Sequence, residues 1–297
     1  MTSYKNSVQK NKFTFSSFIE ITKLRLSISV VFSSVISYLI GMNKFDFEIL
    51  SYLIVGGLLM VSASNIFNQV IERDLDALMQ RTKRRPLPMG EISVNNALVL
   101  GFSFVIVGLT FLYLINPLCA MLGAISIFIY ACVYTPLKLI TPLSVFVGAI
   151  PGAIPFMLGW VAATNEIGIE AITLFLMQFF WQFPHFWAIA WWQNDEYEKA
   201  GFKMLPTGKK DKSTTFQIIF YSFWAIIMSI LPYFNFTGDL SLSFFGLVIV
   251  IILGMFLLIY SFKLFKNSTI QDAKVLMYVS ILYLTLVQIV YLIDNLY

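Results

Sequence analysis

Residues 68–88, NQVIERDLDALMQRTKRRPLP, begin where a strongly apolar run ends and finish in a dense basic cluster. Asn68, Glu72 and Asp76 are spaced i, i+4, i+8. On a helix turning about 100° per residue they fall near 0°, about 40° and about 80°, each roughly one turn above the last. The result is one stripe of three oxygen-bearing side chains, with Asp74 pointing almost the opposite way. Arg81, Lys83, Arg84 and Arg85 follow at once. Two carboxylates and an amide suit a hard cation such as Mg²⁺, which takes few protein ligands and fills its shell with water and substrate phosphate. The basic cluster suits the phosphate itself. The competing reading is a snorkelling helix end whose charges are simply solvated. Ionisable residues at helical spacing beside a membrane span are costly and seldom idle, which keeps the functional reading open beside the plainer one.

The surrounding chain is built for lipid. It is 58% hydrophobic and 12% charged over 297 residues, with a mean hydropathy of +0.79, whereas soluble domains carry about 25% charged residues. Apolar runs of spanning length fall at roughly 25–43, 50–71, 95–115, 118–136, 142–163, 171–192, 215–234, 241–262 and 275–293. This predicts an all-α polytopic membrane protein of nine transmembrane helices: a cytoplasmic N-terminal segment, 1–24, and one transmembrane domain, 25–297. Asn116-Pro117 predicts a tight turn. Pro151, Pro155, Gly148, Gly152 and Gly159 predict a kinked, closely packed fifth span, tolerable only where neighbours satisfy the freed backbone. Cys119 and Cys132 lie in one apolar run without metal-site spacing and read as small hydrophobes.

Charge sets the orientation. Of the 20 Lys and Arg residues, only Lys44 falls on the other side from the N-terminal segment and the even-numbered interspan loops. Lys5, Lys10, Lys12, Lys23 and Arg25 precede span 1, and Lys138 lies between spans 4 and 5. The positive-inside rule then predicts a cytoplasmic N-terminus and an external C-terminus, in agreement with an odd number of spans. The formal net charge of +4 reflects this topology and implies no nucleic-acid partner. The N-terminal stretch has neither a signal-peptide core nor an Arg-rich transit pattern, which points to a bacterial plasma membrane.

A second polar loop follows span 6: MQFFWQFPHFWAIAWWQNDEYEKAGFKMLPTG, residues 177–208. Gln178, Gln182 and His185, the single histidine, again form a helical stripe. Trp181, Trp187, Trp191 and Trp192 surround it, and Asp195, Glu196 and Glu198 close it. Leu87-Pro88-Met89-Gly90 and Leu205-Pro206-Thr207-Gly208 follow Asp76 and Asp195 at nearly equal spacing, four spans apart. That is a hint of two pseudo-repeated four-helix units around a central cavity. Plainer readings stand beside it: an interfacial belt for the tryptophans, interhelical hydrogen bonding for the glutamines, a structural role for His185, and surface anchoring for Lys138.

Asn68-x-x-x-Glu72-x-x-x-Asp76 with Arg81-Thr82-Lys83-x-Arg85-Pro86-Leu87 resembles the first motif of the UbiA-type intramembrane prenyltransferases. Trp181-Gln182-x-Pro184-His185-Phe186 and Asp195-x-Tyr197-x-x-Ala200-Gly201-x-x-Met204-Leu205-Pro206 resemble the haem-farnesylating branch of that family. Tyr134-Thr135-x-Leu137-Lys138 and Thr22-Lys23-x-Arg25 fit it too. The resemblance covers roughly residues 20–210; the last three spans match in hydropathy only, and Glu72 stands where aspartate is usual.

The resemblance implies a fold of nine helices in two four-helix units. It also implies a reaction: farnesyl diphosphate, protohaem IX (haem B) and water give haem O and diphosphate. It assigns Mg²⁺ to Asn68, Glu72, Asp76 and Asp195, and diphosphate to Arg25, Arg81, Lys83, Arg85, Lys138 and Lys203. Tyr134, Trp181, Gln182, Phe186 and Tyr197 would line the haem and prenyl pocket, where aromatic faces shield an allylic cation. His185 would be an axial iron ligand or a group orienting water. The active site would open to the cytoplasm within membrane lipid, and haem A synthesis or terminal oxidase assembly would take the product. Two rivals are an aromatic-acceptor prenyltransferase and a cation-coupled transporter.

Overall fold

The computed structural model describes residues 12–296; Lys5 and Lys10 lie outside them. It is helical from Phe15 onward. An amphipathic helix, α1 (Phe15–Thr22), meets α2 (Leu24–Gly41) at Lys23, whose φ of 45° makes a sharp corner. Then come α3 (Phe47–Ile71), the single turn α4 (Arg73–Asp76), α5 (Val94–Ile115) and α6 (Pro117–Phe128). A π-helical segment, Ile129–Tyr134, leads into α7 (Thr135–Ile140). The second half holds α8 (Ser144–Thr164), α9 (Ile169–Trp192), α10 (Asn194–Lys199) and α11 (Lys212–Ile230). It ends with α12 (Phe244–Asn267) and α13 (Ile270–Leu296).

Among the described residues, nine helical segments have spanning length, and eight of them are also apolar enough to cross a membrane. The ninth is α9, whose Gln178, Gln182, His185 and four tryptophans lower its hydropathy. The sequence boundaries fall within a few residues of the observed ones. Large apolar side chains on α5 and α12, among them Val99, Phe102, Ile106, Phe245 and Ile252, point outward, as lipid contact requires.

The helix starts follow from local chemistry. Asn116 accepts from the Cys119 amide with Pro117 in the first turn, so the predicted turn also caps α6. Helix α8 is the central post. Its Gly159 meets α2 so closely that a Cβ there would lie 1.9 Å from the Ser34 carbonyl oxygen. Helix α9 packs on α8 from the other half, and α13 packs on α12, α9 and α2, closing the ring.

The repeat is visible in the backbone. Helix α3 ends at Glu72 (φ −92°, ψ 6°) and α9 ends at Gln193 (φ −95°, ψ 10°). A short helix follows each. Gly90 and Gly208 adopt φ of 71° and 77°, with their amides donating to Leu87 and Leu205 carbonyls. Only glycine takes that left-handed turn without strain. Three residues later Ser93 and Asp211 cap α5 and α11 in the same way.

Candidate active site

The stripe on α3 and α4 is buried on one side of the bundle. Asn68, Glu72 and Asp76 are 2%, 5% and 0% exposed, while Asp74 faces outward and pairs with Arg73. The i→i+4 amide bonds run on through the break at Glu72, from Glu72 to Asn68 and from Asp76 to Glu72, so the helical projection holds. Glu72 receives Lys138 Nζ at 2.7 Å and Asp76 receives Arg85 at 2.7 Å. Two residues expected to hold phosphate are thus the counterions of the two acids. Burial pushes the Asp76 carboxyl above the ordinary aspartate range, although the Arg85 guanidinium opposes it.

Lys138 reaches this place through the π-helical segment, whose wide turn ends just before Pro136, a residue with no amide to donate. Thr135 Oγ1 donates to the Tyr130 carbonyl and accepts from Asn68 Nδ2. Tyr134 is buried against Gly148, and Lys138 Nζ lies 4.5 Å from its ring centre. Lys23, at the α1–α2 corner, shares the electrostatic environment of both ion pairs. Burial, with Arg85 and Lys138 beside it, lowers its ammonium to about pKa 7.

The second loop meets the first. Glu196 accepts from the Gln80 amide, and the Lys203 amide donates to the Lys138 carbonyl at 2.7 Å. Asp195 is placed differently from the acids of the first loop. It is exposed and pairs with Lys210 at 2.9 Å, which holds its carboxyl below the ordinary range. The backbone repeat explains this: counted from Glu72 and Gln193, Asp195 matches exposed Asp74, and Tyr197 matches buried Asp76. No group of three His, Cys, Asp or Glu side chains is disposed to hold a metal among the described residues. Arg81 is exposed, with its charge bearing on Glu196. Lys83 is half-buried, and the Lys203 ammonium donates to the Ile140 carbonyl.

Beside the acid–base cluster lies a cavity of about 680 Å³ between α2, α3, α8, α9 and α13, with Arg25 in its wall. Its lining is mostly apolar and includes Tyr134, Trp181, Gln182, His185 and Phe186. Gln182 Nε2 donates to the Ala149 carbonyl, and its Oε1 fills the notch left by Gly152. Gln178 Nε2 donates to the Gly152 carbonyl, while its buried Oε1 has no partner. Tyr197 lies outside the cavity wall, packed on Phe202.

Several participants escaped the sequence reading. Ser280 of α13 holds both aromatic rings of the α9 stripe: His185 Nδ1 is 2.9 Å from its Oγ, and Trp181 Nε1 donates to its carbonyl at 2.6 Å. Gln288 of α13 lines the cavity and donates to Ser33 of α2. A buried amide in an apolar span was the available signal; Ser280 gave none.

The sequence profile of the UbiA prenyltransferase family matches residues 29–286. The protoheme IX farnesyltransferase of Flavobacterium psychrophilum is 58% identical, over 98% of both chains. That of Cytophaga hutchinsonii is 41% identical, over 95% of this chain and 99% of its own. Among solved structures, digeranylgeranylglyceryl phosphate synthase superposes with a TM-score of 0.79 at 19% identity, over 94% of this chain and 98% of its own. A UbiA homologue from Archaeoglobus fulgidus, bound to DMAPP and Mg²⁺, gives 0.70 at 17% identity, over 92% and 99%. These structures share the fold, and the sequence matches place this chain in the UbiA prenyltransferase family, in its protoheme IX farnesyltransferase branch.

Proposed function

We propose that the chain transfers a farnesyl group from farnesyl diphosphate to a vinyl group of haem B, with addition of water, giving haem O and diphosphate. The observation that carries this reading is the pairing of a buried acid–base cluster with a large apolar cavity bearing His185, in a chain 58% identical to a protoheme IX farnesyltransferase along its whole length.

The residues fit Mg²⁺. Asp76 Oδ1 is buried with no hydrogen-bond partner, an orphan that a cation would satisfy. Glu72 and Asn68 stand one and two turns before it. Bound there, the metal would neutralise charge developing on the diphosphate. Asn68, Glu72 and Asp76 would hold the metal, and Lys138 and Arg85, which pair with the two carboxylates here, would then be free to take the diphosphate, with Lys23, Arg25 and Arg81 adding to the positive field. This exchange keeps buried charge compensated in both states. Asp195 contributes less than the first-loop acids, because it is exposed and held by Lys210.

The C1–oxygen bond breaks with its electron pair leaving on the diphosphate. The vinyl π pair bonds to C1, and water adds to the cation left on the porphyrin side, losing one proton. Tyr134, Trp181 and Phe186 shield the allylic cation through their ring faces. Gln178 Oε1, unpartnered in the wall, accepts a hydrogen bond from the incoming water. The basic loops support a site at the cytoplasmic face of a bacterial plasma membrane, with haem A synthesis or oxidase assembly taking the product.

The test is purified protein with haem B, farnesyl diphosphate and Mg²⁺, with and without EDTA, read by mass spectrometry of extracted haem. A metal-dependent gain of one farnesyl and one hydroxyl is expected. Asp76→Asn should lower turnover about 100-fold or more, and Asp195→Asn much less. Unmodified haem from folded, lipid-supplied protein would sink the reading and turn attention to aromatic acceptors.

A further inference from the structure

Ser280 has one hydroxyl proton and two polar neighbours. Its Oγ lies 2.6 Å from the Met277 carbonyl oxygen and 2.9 Å from His185 Nδ1. The carbonyl can only accept, so the proton points to Met277. Oγ is then an acceptor toward the imidazole, and the proton of the His185 ring sits on Nδ1. The second nitrogen, Nε2, keeps its lone pair. The ring is also fixed in orientation. Trp181 stacks on it at 4.8 Å between centres and 17° between planes, and Phe186 meets it edge-on at 5.4 Å. Trp181 is itself tied to Ser280 through the carbonyl at 2.6 Å.

Two roles for a neutral, clamped imidazole differ in charge. A base taking a proton from water would become a cation in an apolar wall. The ring's hydrogen-bond partners, the Ser280 hydroxyl and the Met277 carbonyl, carry no charge, and no carboxylate lines the cavity among the described residues. A metal ligand stays neutral and needs a fixed lone pair, with the other ring nitrogen donating to a second group. The arrangement is of the second kind.

We infer that His185 ligates the haem iron of the acceptor substrate through Nε2, and that Ser280 of α13 is the positioning residue that sets the imidazole tautomer and direction. The inference rests on the haem reading above. It also gives the last helix a function: without α13 the cavity loses its wall and His185 loses its partner.

The experiment is resonance Raman spectroscopy of the ferrous haem B complex of the full-length protein, with haem titrations. The wild type should show an iron–imidazole stretch. His185→Ala should lose it, and added imidazole should restore it. Ser280→Ala should shift the band and weaken haem B binding about 10-fold or more, while Ser280→Thr, which keeps the hydroxyl, should remain near wild type. A wild-type enzyme that makes haem O yet shows no such band, or His185→Ala retaining it, overturns the inference and leaves the proposed function standing. Protein that neither binds haem B nor modifies it overturns both.

Discussion

At the residue scale the buried ion pairs combine stability with chemistry. Lys138 and Glu72 are only 10% and 6% exposed as side chains, so removing one partner strands the other. Lys138→Met should cost about 3–5 kcal/mol of stability. The double variant Lys138→Met/Glu72→Gln should recover most of that loss and none of the activity. Thermal unfolding in detergent beside the haem O assay separates the two effects; if the double variant unfolds as early as the single one, the pair is not what holds Lys138. Lys23 gives a pH dependence. Its folded pKa is lowered to about 7 by burial and by Arg85 and Lys138, against the pull of Glu72 and Asp76. A lowered lysine is neutral in the folded chain while still charged when unfolded. Stability therefore rises with pH from about 7 toward the ordinary lysine value and is flat below about 7. With Lys23 in the proposed diphosphate field, KM for farnesyl diphosphate should rise as pH passes about 7. In Lys23→Arg, which stays protonated, the rise should vanish; an unchanged profile would remove Lys23 from the site.

At the element scale the two close features of α8 and the Leu-Pro-x-Gly turns differ in kind. A Cβ at Gly159 would meet backbone, the Ser34 carbonyl oxygen at 1.9 Å, which cannot swing aside. Gly159→Ala should force α2 and α8 apart and cost about 1–3 kcal/mol or more. Gly90 has φ 71° and open space around it, so Gly90→Ala should cost only the left-handed strain, about 1–2 kcal/mol. Unfolding midpoints in one detergent compare them; equal losses would mean that the α2–α8 contact yields. The spans, the stripe Asn68–Glu72–Asp76 and the close packing of α8 at its glycines were legible because hydropathy, helical spacing and side-chain size act locally. The outward turn of Asp195 was not legible, since it depends on where α9 ends at Gln193. Nor was Ser280, because a serine in an apolar helix usually bonds its own backbone, and its partner His185 lies 95 residues away.

At the scale of the whole molecule the acid–base cluster and both polar loops share one face of the bundle. Nine helices of spanning length among the described residues would put the two ends on opposite sides, and the loops around the acid–base cluster leave the bundle on the N-terminal side. Gln80 meets Glu196 there, and Lys203 meets Lys138. Among the described residues, that face holds the Lys and Arg except Lys44, so the charges proposed to clamp diphosphate would also retain these loops in the cytoplasm. Site and orientation would then be one property of the sequence. The prediction can be read by cysteine labelling. Cys119 is buried, but Cys132 is exposed on the bundle surface, so the background is Cys132→Ser. Lys44→Cys should react with an impermeant maleimide applied outside intact cells. Asp74→Cys, which is exposed beside the first motif, should react only after the membrane is opened. The reverse pattern would place the diphosphate clamp outside, where charge retention could not have set it, and would break the link between the orientation and the site.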